Sequence, residues 1–339
     1  MNDVRPPLSP AVAAIRKAVR AALAPLVVGA PGPSDRPDGR ADVVVALSGG
    51  PDSLALAAAV AFEAPKLGLA ACAVIVDHGL QPDSAAVAAR AAQQARDLGL
   101  SPVVVAAEVG TDGGPEAAAR DARYIALDLA RAGVDARAIL LGHTLDDQAE
   151  TVLLGLARGS GAGSLQGMAP ITGMLVRPLL GVRRSTTREA CAAAGLQPWT
   201  DPQNTDPAFA RVRVRERVLP VLEDELGPGI AEALARTADA AREDAEAFEE
   251  MIEETIEEVV EHAEAGISVS AAALAANPAA LRQRIIRYIV QSEFGVSLTR
   301  VQTIEVARLV TDWSGQGAVS LPSCSATRRD GRIVFTARD

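Results

Sequence analysis

One stretch constrains the fold of this chain more than any other: Val43-Val44-Val45-Ala46-Leu47-Ser48-Gly49-Gly50-Pro51-Asp52-Ser53-Leu54-Ala55-Leu56. It opens on five apolar residues, three of them β-branched, as suits a strand buried on both faces. Two glycines follow, where a backbone can turn sharply and approach a ligand closely. From Leu54 the run is rich in Ala and Leu and starts a helix. Strand, glycine turn, helix presents free backbone N–H groups and a positive dipole end to an anion. Ser48 and Ser53 add hydroxyl donors, and Asp52 adds a carboxylate able to hold a metal ion riding on phosphates.

The stretch is neither a Walker loop nor a dinucleotide fingerprint. No Lys follows the glycines, and Gly-x-Gly-x-x-Gly is absent. Ser48-Gly49-Gly50-Pro51-Asp52-Ser53 instead resembles the pyrophosphate-binding loop (PP-loop) of the N-type ATP pyrophosphatase superfamily. That resemblance implies cleavage of ATP between its α and β phosphates to adenylate a substrate.

The flanking sequence predicts an α/β fold, a parallel sheet with helices on both faces. Apolar runs at 43–47, 70–76, 103–107 and 138–142 alternate with helical stretches at 54–61, 83–97, 115–132 and 146–156. Ligands of such sheets collect at the carboxyl ends of the strands, where Ser48, Asp77 and His143 fall. Residues 1–40 read as an N-terminal helix and a Gly/Pro/Asp-rich linker, 41–220 as the nucleotide-binding domain, and 221–339 as a mostly helical domain with a small β-hairpin around Asp330-Gly331. Gly159 to Met174 reads as a loop. The helix after Gly227 is expected to reach about Glu264, followed by helices near 278–293 and 300–311.

Composition narrows the remaining classes. Hydrophobic residues make up 49% and aromatics 3%, so the core must be largely Ala, Val and Leu. Cys72, Cys191 and Cys324 lie far apart, which argues against a structural zinc, an iron–sulfur cluster or a disulfide framework. Lys17 and Lys66 are the only lysines. Arg16, Lys17 and Arg20 interrupt the apolar run from Leu8 to Val28, giving an amphipathic helix and no membrane span, so a cytoplasmic protein is expected. The net charge of −10 speaks against a nucleic-acid partner until its distribution is considered. Sixteen acids face two arginines between Glu223 and Glu264, whereas eight arginines face four acids between Arg177 and Pro220. Local potential governs phosphate binding, so a basic patch remains open to RNA.

The second chemical cluster is Gly142-His143-Thr144-Leu145-Asp146-Asp147-Gln148-Ala149-Glu150-Thr151. A helix beginning near Thr144 sets Asp147 and Glu150 three residues apart on one face, with His143 at the strand end. Helix capping alone is one reading of these acids; metal binding, or capture and deprotonation of an amine, is the other. Together with the loop, Val76-Asp77-His78-Gly79-Leu80, Glu116 to Tyr124, Arg158-Gly159, Gly167-Met168, Arg177-Pro178-Leu179, Asp201-Pro202 with Asn204, and Arg211 to Pro220, this order and spacing is similar to the tRNA(Ile)-lysidine synthetase family. The resemblance spans residues 40–220 and continues more loosely through Leu321-Pro322 and Arg329-Asp330-Gly331. Val212 stands where the family commonly has Asn, so an amide contact is lost or supplied elsewhere.

The resemblance implies an adenine-nucleotide α-hydrolase-like fold. It also implies that ATP and Mg2+ adenylate O2 of the wobble cytidine in a CAU-anticodon tRNA(Ile). The ε-amine of free L-lysine then attacks C2 and expels AMP. Ser48, Gly49, Gly50, Ser53 and Asp52-bound magnesium would serve the departing pyrophosphate. Arg120, Arg123, Arg211 or Arg215 would stand near the α phosphate. Asp146, Asp147 and Glu150 would meet the lysine ammonium, with Asp147 or His143 as base, and Asp77 and His78 would lie beside the adenosine or target base. Arg282, Arg284 and Arg287 would grip tRNA phosphates, or else form a solvated helix face. A homodimer is left open. Rival readings are a tRNA thiolation enzyme, disfavoured by the absence of paired cysteines, a GMP or NAD synthetase, and a non-catalytic ATP-binding protein.

Overall fold

The computed structural model describes residues 8–29, 40–77, 79, 83–107, 110, 115–159, 162–263 and 266–338. The chain divides into two compact units, Met1–Arg242 and Glu243–Asp339. In chain order the first holds α1 (Pro10–Leu23), β1 (Val43–Ala46), α2 (Pro51–Glu63), β2 (Ala71–Asp77), α3 (Ser84–Asp97), β3 (Ser101–Ala106), α4 (Pro115–Gly133), β4 (Ala138–Leu140) and α5 (Leu145–Arg158). It continues with β5 (Ile171–Thr172), β6 (Leu175–Val176), α6 (Arg184–Ala193), α7 (Ala210–Arg213), α8 (Leu219–Glu225) and the start of α9 (Ile230–Val259).

The sheet runs β3-β2-β1-β4-β6-β5, parallel except for the last strand. Strand order reverses at β1, whose neighbours are β2 on one side and β4 on the other. A crevice at the carboxyl ends of β1 and β4 follows from that reversal. Alternation along β1 shows why the strand is apolar throughout. Val43 and Val45 face a core shared with α1, α2, α3 and α6, while Val44 faces one shared with α4. The expected Ala/Val/Leu core is present, and Phe335 is the sole aromatic among the buried apolar residues described.

The N-terminal helix closes one face of this sheet. Ile15, Val19 and Leu23 are buried at helical spacing against α2 and α6. Arg20 donates to the buried Glu63 at 2.8 and 3.0 Å and holds that carboxyl below its ordinary pKa. Arg16 and Lys66 lie over the Phe62 ring, 3.4 and 3.2 Å from its centre. Lys66 also stands 3.6 Å from Glu63.

The second unit contains the rest of α9, β7 (Val260–Ala263), β8 (Gly266–Ser270), α10 (Ala271–Ala276), α11 (Ala279–Phe294), α12 (Arg300–Thr311), β9 (Val319–Ser320), β10 (Cys324–Arg329) and β11 (Arg332–Ala337). The hairpin expected around Asp330-Gly331 is β10–β11, with Arg329 paired to Arg332. It is the centre of a five-stranded antiparallel sheet, β7-β8-β11-β10-β9. The sequence reading extended α9 too far, because residues 260–263 leave the helix to pair with β8. It also missed that the 159–174 segment ends in strand β5, which pairs antiparallel with β6. Ala231, Ala238, Ala245 and Ile252, seven residues apart on α9, are all buried, so the acidic helix is amphipathic rather than solvated all round. No helix among the described residues is long and apolar enough to cross a membrane.

One glycine fixes how the two halves of the crevice meet. A Cβ at Gly142, just past β4, would stand 3.0 Å from Ser53 N and 3.1 Å from the Asp52 carbonyl carbon. Gly181 has nothing within 4 Å. Gly142→Ala is therefore expected to destabilise the protein by about 1–3 kcal/mol in denaturant unfolding. Gly181→Ala is expected to leave the same transition unchanged within error.

Candidate active site

The loop after β1 is built to leave donors free. Gly49 has φ +82°, a conformation that a side chain would strain. Gly50 occupies the N-cap of α2, and no side chain caps that helix. Its first N–H groups and the positive end of its dipole therefore face outward. Ser53 folds back instead: its hydroxyl accepts from Ser48 N at 3.2 Å and lies 3.1 Å from both the Gly50 carbonyl and the Ser48 hydroxyl.

Two further segments brace the loop from outside. Trp199 N donates to the Gly49 carbonyl at 2.9 Å. From α6, the Cys191 thiol donates to the Pro51 carbonyl at 3.3 Å, and the Thr187 hydroxyl donates to Asp52 Oδ1. Arg184 Nε stands 3.7 Å from Asp52 Oδ2. Burial raises the Asp52 pKa, partly offset by the Thr187 hydrogen bond and by Arg184 and Arg188. Burial alone pushes the Cys72 thiol up to about 11, and burial with the Asp52 charge does the same to Cys191, so neither is a thiolate nucleophile near neutral pH.

Across the crevice, β4 delivers His143 and Thr144 to the start of α5. Thr144 and Asp147 form a capping box: Asp147 Oδ2 accepts from Thr144 N at 2.8 Å and from its hydroxyl at 2.7 Å. The capping reading of Asp147 is thus satisfied by one oxygen, and the other accepts from Arg184 Nη2 at 2.8 Å. Glu150 is fully buried. It accepts from Arg184 Nη1 at 3.1 Å and from Arg215 Nε and Nη2 at 2.7 and 3.0 Å, with Arg211 Nε at 3.8 Å. Asp146 accepts from Arg184 N at 2.7 Å and faces Arg183 Nη1 at 3.5 Å.

The carboxylates expected to meet an amine are thus engaged by this chain's own arginines. Burial opposes ionisation of Asp147, yet Arg184 and the Thr144 hydrogen bonds outweigh it and its pKa falls. Burial likewise opposes the charge on Arg184, and Asp147, Glu150, Asp52 and Asp146 more than restore it.

Arg211 and Arg215 sit on α7 and on a π-helical turn, Val214–Val218, the kind of irregularity that often marks functional sites. Val212 is buried, and Arg211 donates to the Thr151 hydroxyl at 3.0 Å. His143 is half-buried, and its Nδ1 has no hydrogen-bond partner among the described residues. Burial, helped by Arg123, Arg177 and Arg120 against the pull of Asp147, lowers its pKa to about 4. The imidazole is neutral at pH 7. Arg120 and Arg123 flank Tyr124 on α4, 5.2 and 5.4 Å from the ring centre, and the buried Arg123 Nε has no partner.

A cavity of about 740 Å³ joins these elements, the size of a site for a nucleotide. Ser48, Gly50, Asp52 and Ser53 line it with Asp77, Arg123, His143, Asp147, Arg184, Arg188, Trp199 and Arg215. Gly49, within the loop, does not line the cavity, Glu150 lies beneath the wall, and His78 lies outside the described residues. Sequence reasoning did not single out Arg184, Thr187 or Arg188. Their one signal was membership of the arginine-rich stretch after Arg177.

In the second unit the three arginines have separate fates. Arg282 Nη1 reaches the carbonyls of Leu274, Ala275 and Asn277 at 3.4, 3.5 and 3.1 Å and so caps the end of α10. Arg284 stacks 4.1 Å from the Phe248 ring centre. Arg287 is exposed beside the exposed Tyr288 and has no carboxylate partner among the described residues. Burial of part of its side chain, with repulsion from Arg284 and Arg300, lowers its pKa.

Comparison with known proteins places this geometry. Residues 28–222 match a PP-loop domain and residues 270–334 a TilS substrate binding domain. A solved U34-tRNA thiolase from Methanococcus maripaludis shares the fold at a TM-score of 0.54 and 18% identity, over 68% of this chain and 79% of that one. Among curated relatives, the tRNA(Ile)-lysidine synthase of Thermobifida fusca is 50% identical, covering 97% of this chain and 98% of its own. That of Leifsonia xyli is 57% identical, covering 86% of this chain and 89% of its own. With full-length likeness on this scale, and a loop and acidic helix that meet in one cavity, the chain belongs to the tRNA(Ile)-lysidine synthase family.

Proposed function

We propose that this protein uses ATP to join free L-lysine to C2 of the wobble cytidine in a CAU-anticodon tRNA(Ile). O2 of the cytidine takes the adenylyl group and pyrophosphate leaves; the lysine ε-amine then bonds to C2, and AMP departs with O2. The observation that carries this reading is the single cavity in which the uncapped start of α2 and the His143–Glu150 segment converge. The first site suits a departing polyanion; the second, whose carboxylates are shared with Arg184 and Arg215, suits an incoming neutral amine.

The Ser48–Ser53 loop and α2 would receive the phosphates through N–H and hydroxyl donors. Asp52, a hard oxygen ligand, suits Mg2+, which when bound would neutralise phosphate charge. Asp147 faces the cavity and would meet the lysine amine. Glu150, buried behind it, would hold Arg184 and Arg215 in position. Neither Asp147 nor His143 is a strong base, given their lowered pKa values. Arg123 supplies the rest: no described carboxylate pairs with it, it already lowers the His143 pKa, and its charge would disfavour an ammonium group and promote loss of its proton. Asp77, with His78, would border the nucleoside. Residues 41–220 would thus carry catalysis, and 221–339 would bind tRNA, with Arg284 and Arg287 toward its phosphates.

The decisive experiment is incorporation of radiolabelled lysine into a CAU-anticodon tRNA(Ile) transcript with ATP and magnesium. Incorporation is expected, and it should vanish when the wobble cytidine is replaced by uridine. Pyrophosphate release with no lysine transfer would retain the adenylating chemistry and discard the substrate.

Asp147→Asn keeps the Thr144 hydrogen bonds but removes the charge facing Arg184. Lysine incorporation should fall about 100-fold or more, in the range of general acid–base contributions, while ATP affinity stays within about threefold. Arg287→Ala should weaken tRNA binding and flatten its dependence on log salt by about one unit, as loss of one phosphate contact requires. Arg282→Ala should lower stability and leave that slope in place.

A further inference from the structure

The loop that receives the phosphates carries no positive side chain. A Walker loop has its lysine; here Ser48 to Ser53 supplies N–H groups, hydroxyls and one acid. Departing pyrophosphate bears several negative charges, more than a single Mg2+ held at Asp52 would neutralise, so a side-chain cation is needed within reach of the loop as well. Arg184 is poorly suited, because Asp52, Asp147 and Glu150 already share its charge.

One turn further along α6 stands Arg188. Arg184, Thr187 and Cys191, at positions i, i+3 and i+7, bind the loop and the start of α2, so α6 lies against the phosphate site along that face. Arg188 follows Thr187, is exposed, and lines the same cavity as Ser48, Gly50 and Ser53. Among the described residues it has no carboxylate or hydrogen-bond partner, in a wall where Arg184 and Arg215 take up Asp52, Asp147 and Glu150. Its charge reaches Asp52. An unpaired guanidinium, anchored by a helix that is itself docked on the loop, offers the planar two-pronged donor set that phosphate oxygens accept.

We propose that Arg188 grips the pyrophosphate portion of ATP, opposite the Ser48–Ser53 loop, and supplies the cation that the loop lacks. The assignment rests on the reading of the loop as a phosphate site. It makes Arg188 a substrate-contacting residue that sequence analysis had left inside an ordinary helix.

The test uses the full-length protein and inorganic pyrophosphate with magnesium as probe, titrated calorimetrically and as an inhibitor competing with ATP. Arg188→Ala should weaken pyrophosphate binding about tenfold or more, the scale of one charge-assisted hydrogen bond. Arg188→Lys should recover part of that loss. AMP affinity and the salt slope of tRNA binding should match wild type. Unchanged pyrophosphate affinity in Arg188→Ala, with wild type binding normally, would overturn the role of Arg188 alone. Loss of tRNA affinity with pyrophosphate binding intact would reassign the cation to an RNA phosphate and overturn it too. A wild-type protein with no affinity for pyrophosphate would overturn the loop reading beneath both.

Discussion

A buried carboxylate, Glu150, is the constraint on which the cavity end of the first unit depends. An ionised acid removed from water is tolerated only when paired and hydrogen-bonded. Its partners come from two places far along the chain: Arg184 opens α6, and Arg215 sits on the π-helical turn. The pairing ties α5, α6 and that turn into one wall. Asp147 shares Arg184 from the cavity side, and Asp52 approaches the same guanidinium from the loop. One arginine therefore connects the Ser48–Ser53 loop with the acidic start of α5.

The π-helical turn lets a polar and an apolar requirement be met on the same helix. Arg215 reaches Glu150 of α5, and Leu219, four residues on, is buried with Leu145 and Ala149 of α5 and Ala231 of α9. Arg183 adds a polar brace at this edge, reaching Asp146, Glu223 and Glu232, while Glu223 accepts the N–H groups of Gly229, Ile230 and Ala231 at the start of α9. Position in this region is held by charge and shape together.

Elements whose signal is local were legible in the sequence. The apolar run, glycines and Ala-rich continuation at 43–61 specify a strand, turn and helix within one short window, and the structure has them there. The hairpin at Asp330-Gly331 is of the same kind. What stayed hidden depends on distance along the chain. Glu150 meets arginines 34 and 65 residues away, and no spacing rule reports such a pairing. Asp147 and Glu150 therefore read as open carboxylates, although arginines occupy them. Arg282, Arg284 and Arg287 looked alike as letters on one helix; a carbonyl cluster and a phenyl ring separated them. Strand β7 was missed because pairing with β8, rather than local propensity, decides the state of residues 260–263.

The scarcity of lysine has a consequence of its own. Both lysines lie away from the cavity: Lys17 is on α1, and Lys66 is held against Phe62 and Glu63 at the end of α2. Every cation lining the cavity among the described residues is an arginine, whose guanidinium stays protonated and does not act as a nucleophile. A chamber proposed to expose an activated base to a primary amine thus has no lysine amine among its described lining residues. On the proposed reading, an acceptor activated there meets neither lysine of this chain, and the amine that captures it comes from solution.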